Sequence, residues 1–279
     1  MQYLVLLSSG FLYFVSLIWG NGIGFWLCLE MATLLSVCGF FVPGVSFNRY
    51  NPLMCFIILS GVSSILLFLG VNNDIFQLFI FLSFLIKLGI FPFMGWVLLV
   101  YTNVSWLLLF LLGVVSKVTT LYIPLSGLVG SEVSLGLTLS GLNLVVASLM
   151  FWKSINGIKG FVAVSGLGTS SLLLTVSMET TFYSLLMLLI CYFISSGVNF
   201  LAFHYLENVS TSSSVNGLLF FILLAIPASL SFIYKLVSVF IIMSLPLSFI
   251  YMWILFSVSE QLFLCMLIVE KSCATIKVI

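Results

Sequence analysis

FLIKLGIFPFMGWV (residues 84–97) sets Lys87 in an otherwise oily run and follows it five residues later with Pro92. Lipid expels a bare cation, and proline both removes a backbone donor and clashes with the preceding helical turn. The surrounding composition decides what such a stretch means. The 279 residues are 63% hydrophobic and only 5% charged, with eight Lys or Arg, seven Asp or Glu and one His. A soluble domain carries roughly a quarter charged residues, so no water-facing shell can be built here. Mean hydropathy is +1.37. Runs of ~20 apolar residues span lipid as helices because every backbone group must be bonded within the chain. The sequence therefore predicts an all-α polytopic membrane protein.

The same composition excludes other classes. A formal net charge of +1 leaves no basic stripe for nucleic acid. Cys28, Cys38, Cys55, Cys191, Cys265 and Cys273 show no CxxC or other metal-binding spacing and read as packing residues. No Gly-rich phosphate loop or haem-like His pair is present. The opening MQYLVLLSSGFLYFVSLIWG lacks a basic flank and a small-x-small cleavage site, and reads as a retained first helix. Enrichment in Phe, Leu, Ser and Val with little Arg, His, Gln or Pro would also follow from U-rich codons, as in an organelle genome.

Polar breaks divide the chain into about ten spans: GNG (20–22), GVSFNRYN (44–51), NND (72–74), YTN (101–103), GSE (130–132), WKSINGIK (152–159), MET (178–180), HYLENVSTSSSVN (204–216) and SLP (244–246). The region 81–100 reads as one kinked helix or two halves. Loop charges test this count. The even connections and both ends hold Arg49, Lys153, Lys159, Lys271 and Lys277, with Glu207 and Glu270 as acidic exceptions; the odd ones hold Asp74, Glu132 and Glu179 and no cation. Such segregation is the positive-inside pattern and places both termini on the inner side. Trp19, Trp26, Trp106 and Trp152 fall near span ends, where indoles favour the interface.

Four ionisable groups remain deep within spans: Glu30 in FWLCLEMATLL, Lys87, Lys117 in GVVSKVTTL and Lys235 in FIYKLVSVF; Glu260 in FSVSEQLF, a few residues short of mid-span, is a fifth candidate and reads more readily as structural. Each intramembrane charge costs at least ~2.5–3.5 kcal/mol and usually faces a bundle interior or water. Lys87 lies roughly 18 Å from the start of its span at 1.5 Å per residue, too far for its stem to reach the headgroups. Pro227 precedes Lys235 by eight residues, as Pro92 follows Lys87. Broken helices in corresponding positions of two halves mark ion-translocating repeat folds. With Lys87 and Pro92 on span four and Lys235 and Pro227 on span nine, spans 1–5 (about 1–126) and 6–10 (about 134–270) are expected to be two inverted five-helix repeats. Low dielectric disfavours the charge of an amine and a nearby carboxylate such as Glu30 restores it, which makes a proton relay gated by electrostatics. The other readings are structural ion pairing and snorkelling, the latter easiest for Lys117 near Pro124.

These residues carry a family resemblance. KLGIFPFMGWV (87–97) resembles the Lys–Leu–Gly–x–x–Pro–Phe–x–x–Trp–Val motif of chain 2 of mitochondrial NADH-ubiquinone oxidoreductase, an antiporter-like proton-pumping subunit of respiratory complex I. WLCLEMATLL (26–35), LLGVVSKVTTLYIP (111–124), INGIKGFVAVSGLGTSS (155–171) and AIPASLSFIYKL (225–236) are similar to other stretches of that family, and all run in its order. The resemblance implies that Glu30 and Lys87 are the charged pair of the first half-channel, Lys117 the central relay and Lys235 the distal proton site. It further implies a mitochondrial inner-membrane location with both termini in the matrix and other complex I membrane-arm subunits and lipid as partners. NADH, FMN, iron-sulfur clusters and ubiquinone would belong to partner subunits, with no redox cofactor in this chain and only indirect contact with ubiquinone. The sequence departs from the family at Phe93–Met94–Gly95 (Phe–His–Phe), at Leu98–Leu99 (Pro–Glu), and at Ala228 and Ser231 (Pro and Gly). It is also short, with room for one span after Lys235. His204, the only histidine, reads as interfacial. A stand-alone cation/proton antiporter of related fold and a scaffold without transport are the competing expectations.

Overall fold

The computed structural model describes residues 2–19, 21–41, 50–72, 77–126, 131–153, 157–208, 223–227 and 229–276. Among them there are helices and connecting turns and no strand. The helices are α1 (Gln2–Ile18), α2 (Gly22–Val37), α3 (Tyr50–Asn72), α4 (Gln77–Leu88), α5 (Met94–Asn103), α6 (Trp106–Gly113), α7 (Tyr122–Leu125), α8 (Ser131–Lys153), α9 (Ile158–Glu179), α10 (Phe182–Asn208), α11 (Leu230–Ile242) and α12 (Leu247–Ile276), with a 3-10 stretch at Val115–Leu121 between α6 and α7. Seven helical segments are long and apolar enough to cross a membrane: Gly22–Phe41, Tyr50–Asn72, Trp106–Leu125, Val133–Lys153, Ile158–Glu179, Phe182–Glu207 and Leu247–Leu267. Tyr3–Ile18, Gln77–Leu88 and Leu230–Ile242 are shorter apolar helices. The architecture is consistent with a polytopic membrane protein.

Arg49, Asp74, Lys277 and Ala228 lie outside the described residues, as do the side chains of Glu132, Glu270, Lys271 and Cys273. The segregation of loop charge therefore rests on sequence alone. One acidic exception has a structural reason. The Glu207 carboxylate stands 3.9 Å from Lys159 Nζ and also accepts a hydrogen bond from Trp106 Nε1, while the lysine lies over the indole at 5.8 Å. This cluster ties the starts of α6 and α9 to the end of α10. Trp26 does more than lie near a span end: its Nε1 donates to Ser64 O at 3.0 Å and its ring meets Phe68 at 4.8 Å, joining α2 to α3.

Helices α1 with α2, and α3 with α4, pack as pairs; α8 packs on both α9 and α12, and α10 on α11. The 3-10 stretch rests on α1, α9 and α10, and α5 lies along α9. Helix α9 is thus the shared centre, 83% buried against 22% for Leu247–Leu267. Its sequence fits that place. Gly160, Gly168, Ser170, Ser171, Thr175 and Ser177 are small and buried, and the hydroxyls of Ser170, Ser171, Thr175 and Ser177 bond carbonyls three or four residues back. That local bonding satisfies polar atoms where no water reaches. A Cβ on Gly168 would stand 2.0 Å from Phe256, a ring 1% exposed and itself held against Phe151 and Trp253. Gly168→Ala is expected to lower the thermal midpoint of the detergent-purified protein, at a cost of about 1–3 kcal/mol for overpacking. Adding Phe256→Leu should recover part of it; an unchanged midpoint in the single variant would contradict this packing.

Candidate functional site

Lys87 and Lys117 stand at interruptions of their helices. Region 81–100 resolves into two half-helices. Helix α4 ends at Leu88, one residue after Lys87, and α5 begins at Met94. Gly89 makes the turn at φ +66, where a Cβ would also collide with Val97 at 2.1 Å, so glycine is required on both counts. Ile86 O, left without its helical donor, accepts from Gly89 N and from Trp96 Nε1 at 3.0 Å. Phe91 N reaches Asn143 Oδ1 at 3.2 Å, and Asn143 Nδ2 donates to Leu167 O at 3.0 Å. The fully buried Asn143 thereby joins this break to α9. Neither Asn143 nor its role is visible in the sequence, where one asparagine in an apolar run carries no signal.

The lysine at 117 sits at a break that no proline announces. Helix α6 stops at Gly113, and residues 115–121 run as 3-10 helix. The signal was in the composition: Val114, Val115, Val118, Thr119 and Thr120 are β-branched and lose side-chain freedom in an α-helix. Two carbonyls released there are taken by tyrosines, Leu112 O by Tyr101 OH at 3.0 Å and Gly113 O by Tyr192 OH at 2.9 Å. With three residues per turn, Ser116 and Thr119 share one face and Lys117 points away from it.

That geometry separates two cavities. The first, about 50 Å³, is lined by Tyr13, Thr33, Ser60, Ser63, Lys87, Ser116 and Thr119 and for the rest by Trp96 and apolar side chains. Lys87 has no hydrogen-bond acceptor among the described residues, and its ammonium faces a space large enough for water, which needs ~10–15 Å³. The second, about 90 Å³, is lined by Gly166, Thr169, Tyr192, Ser195, Asn199, Tyr234, Lys235 and Glu260 among others. Lys117, 3% exposed, lines neither cavity but lies between residues of both: its neighbours Ser116 and Thr119 border the first, and its partners Gly166, Thr169 and Tyr192 the second. Its Nζ donates to Gly166 O at 2.7 Å, to Thr169 Oγ1 and to Tyr192 OH at 3.3 Å, and lies 5.0 Å from the Tyr192 ring centroid. Thr169 and Tyr192 spend their own hydrogens on Gly166 O and Gly113 O, so all three partners accept. The site fits an ammonium, with no carboxylate among the described residues paired to it.

At the far end of the second cavity Lys235 Nζ stands 2.8 Å from Glu260 Oε2, with side-chain exposures of 19% and 17%. The contact is electrostatic, at an angle outside a directed hydrogen bond. Pro227 falls in the non-helical stretch between the helical Leu223 and the start of α11, eight residues before Lys235. Helix α11 starts after the Ser229 cap, whose Oγ accepts from Phe232 N. The backbone groups freed before the cap are held by Gln261 Oε1, which accepts from Ala225 N at 3.1 Å, and by Ser231 Oγ, which donates to Leu224 O at 3.1 Å.

Glu30 makes no direct ion pair with Lys87, and its Oε2 is buried without a hydrogen-bond partner. Leu29 and Thr33 face the cavity, and one residue along an α-helix turns a side chain by about 100°, which carries Glu30 off that line. Glu260, read from the sequence as more readily structural, is the interior acid in direct ion-pair contact with a lysine. His204 sits at the exposed edge of Trp106, ring centroids 6.2 Å apart, away from both cavities. No protein-family model matches the sequence, and no curated protein matches it.

Proposed function

We propose that this chain translocates protons across a membrane through a relay that runs from Glu30 and Lys87 through Lys117 to Lys235 and Glu260. The observation that carries the reading is the placement of Lys117 as an ammonium held by neutral acceptors, between a cavity that Lys87 lines and one that Lys235 and Glu260 line. A buried cation without a counter-ion is the least costly to discharge, and two cavities give it a proton source and a sink. The ten-span reading belongs to this proposal, with residues 1–126 and 134–270 as inverted repeats, broken helices four and nine, and both termini on one side. Three shorter apolar helices beside the seven long ones bring the apolar helices among the described residues to ten, the number this reading uses.

The resemblance extends the proposal to assembly. The chain would be a core membrane-arm subunit of respiratory complex I in the mitochondrial inner membrane. Electron transfer from NADH to ubiquinone would then take place in partner subunits and drive the relay from a distance. A stand-alone cation/proton antiporter needs carboxylates free to hold a metal cation, and the charge of Glu260 is already answered by Lys235, which favours the proton reading. On a native gel of gently solubilised membranes the chain is expected to migrate with NADH dehydrogenase activity. Migration apart from that activity, combined with sodium flux by the purified chain, would move the assignment to the antiporter.

A further inference from the structure

The interval between Lys117 and the Lys235–Glu260 pair holds no histidine and no carboxylate among the residues that line it. It does hold two tyrosines. Tyr192 OH accepts from Lys117 Nζ at 3.3 Å and donates to Gly113 O at 2.9 Å. Its ring centroid lies 5.7 Å from that of Tyr234, whose hydroxyl is buried without a hydrogen-bond partner beside Lys235. Both tyrosines line the cavity that ends at Glu260.

Resting on the proton-relay reading above, we propose that the Tyr192 hydroxyl is the gated relay through which Lys117 discharges into the second cavity. The gate is the bond to Gly113 O. While the hydroxyl hydrogen is spent on that carbonyl, Tyr192 offers Lys117 only a lone pair and passes nothing on. When the hydrogen turns from the carbonyl into the cavity, the chain of transfers is complete. An N–H bond of Lys117 breaks as a new O–H bond forms on Tyr192. The original O–H bond of Tyr192 breaks in the same event, its proton going to cavity water and from there to the Glu260 carboxylate. One positive charge leaves Lys117 and one negative charge at Glu260 is neutralised, so the step needs no co-reactant. Gly113 O is available as the latch only because the helix is broken there; in a continuous helix it would be occupied by the amide four residues on.

The test is voltage-driven proton uptake by liposomes holding the purified full-length chain, with a potassium diffusion potential and an internal pH dye. Tyr192→Phe keeps the ring and removes the relay, and is expected to slow uptake by about a hundredfold, the scale of a lost proton-transfer group. Tyr192→His, which packs less well but can pass a proton, should be faster than Tyr192→Phe. A purely structural tyrosine would give the opposite order. Wild-type uptake in Tyr192→Phe, or a histidine variant no faster than phenylalanine, would overturn the relay. The reading beneath it fails separately, if Lys117→Met conducts as the wild type does.

Discussion

Lys117→Met is expected to abolish voltage-driven proton uptake in the same liposomes, by at least about a hundredfold, while the protein stays folded. Both halves of that result follow from the partners of the amine. Uptake stops because Lys117 is the titratable group between the cavities, and a thioether carries no proton from one to the other. Folding survives because nothing is left stranded. Thr169 and Tyr192 keep their bonds to Gly166 O and Gly113 O, and Gly166 O also accepts from Ser170 Oγ at 2.9 Å. Exchanging a buried uncompensated charge for an apolar side chain of similar length is often neutral or stabilising. The thermal midpoint in detergent should hold or rise. Conduction at the wild-type rate would remove Lys117 from the path, and a collapse in stability would show that its charge is structural.

The second large effect lies at the other end. Glu260→Gln leaves the Lys235 ammonium without its counter-charge in a setting where four-fifths of the side chain is out of solvent. It should cost about 3 kcal/mol, the lower end for breaking a buried pair. Lys235→Met strands the carboxylate by a similar amount. The double variant Lys235→Met with Glu260→Gln removes both charges and should recover most of the midpoint, so the two losses will not add. Proton uptake should be lost in all three. Stability that falls additively would mean that the two groups do not interact. Full conduction in the double variant would confine the pair to a structural role.

The sequence revealed the solvent and the interruptions better than the partners. Fifteen charges among 279 residues leave no alternative to lipid, and Pro92 marked an interruption in 81–100 that could be a kink or two halves. The break at Gly113 was hidden because β-branched residues weaken an α-helix without forbidding it, and tertiary contacts decide. Which charges meet was not legible at all. A helix that is apolar on every side gives no face to orient by, so the rotation that turns Glu30 away from the Leu29–Thr33 line could not be read from spacing. The pairing of Lys235 with Glu260 depends on the packing of α11 near α12, and the clasp of Asn143 on how α8 meets the α4–α5 break. Tyr192 was one tyrosine among ten; only its distances to Lys117 and Gly113 O single it out.

The central claim, that the buried amines share a wet interior axis, is tested most directly by a density map of the chain in a lipid bilayer, resolved well enough to show water. The expected result is ordered water in both cavities, one group between Lys87 and Ser116 and another between Tyr192 and Glu260, with Lys117 between them. Dry cavities closed by side chains, or lysine tips turned out among acyl chains, would contradict it.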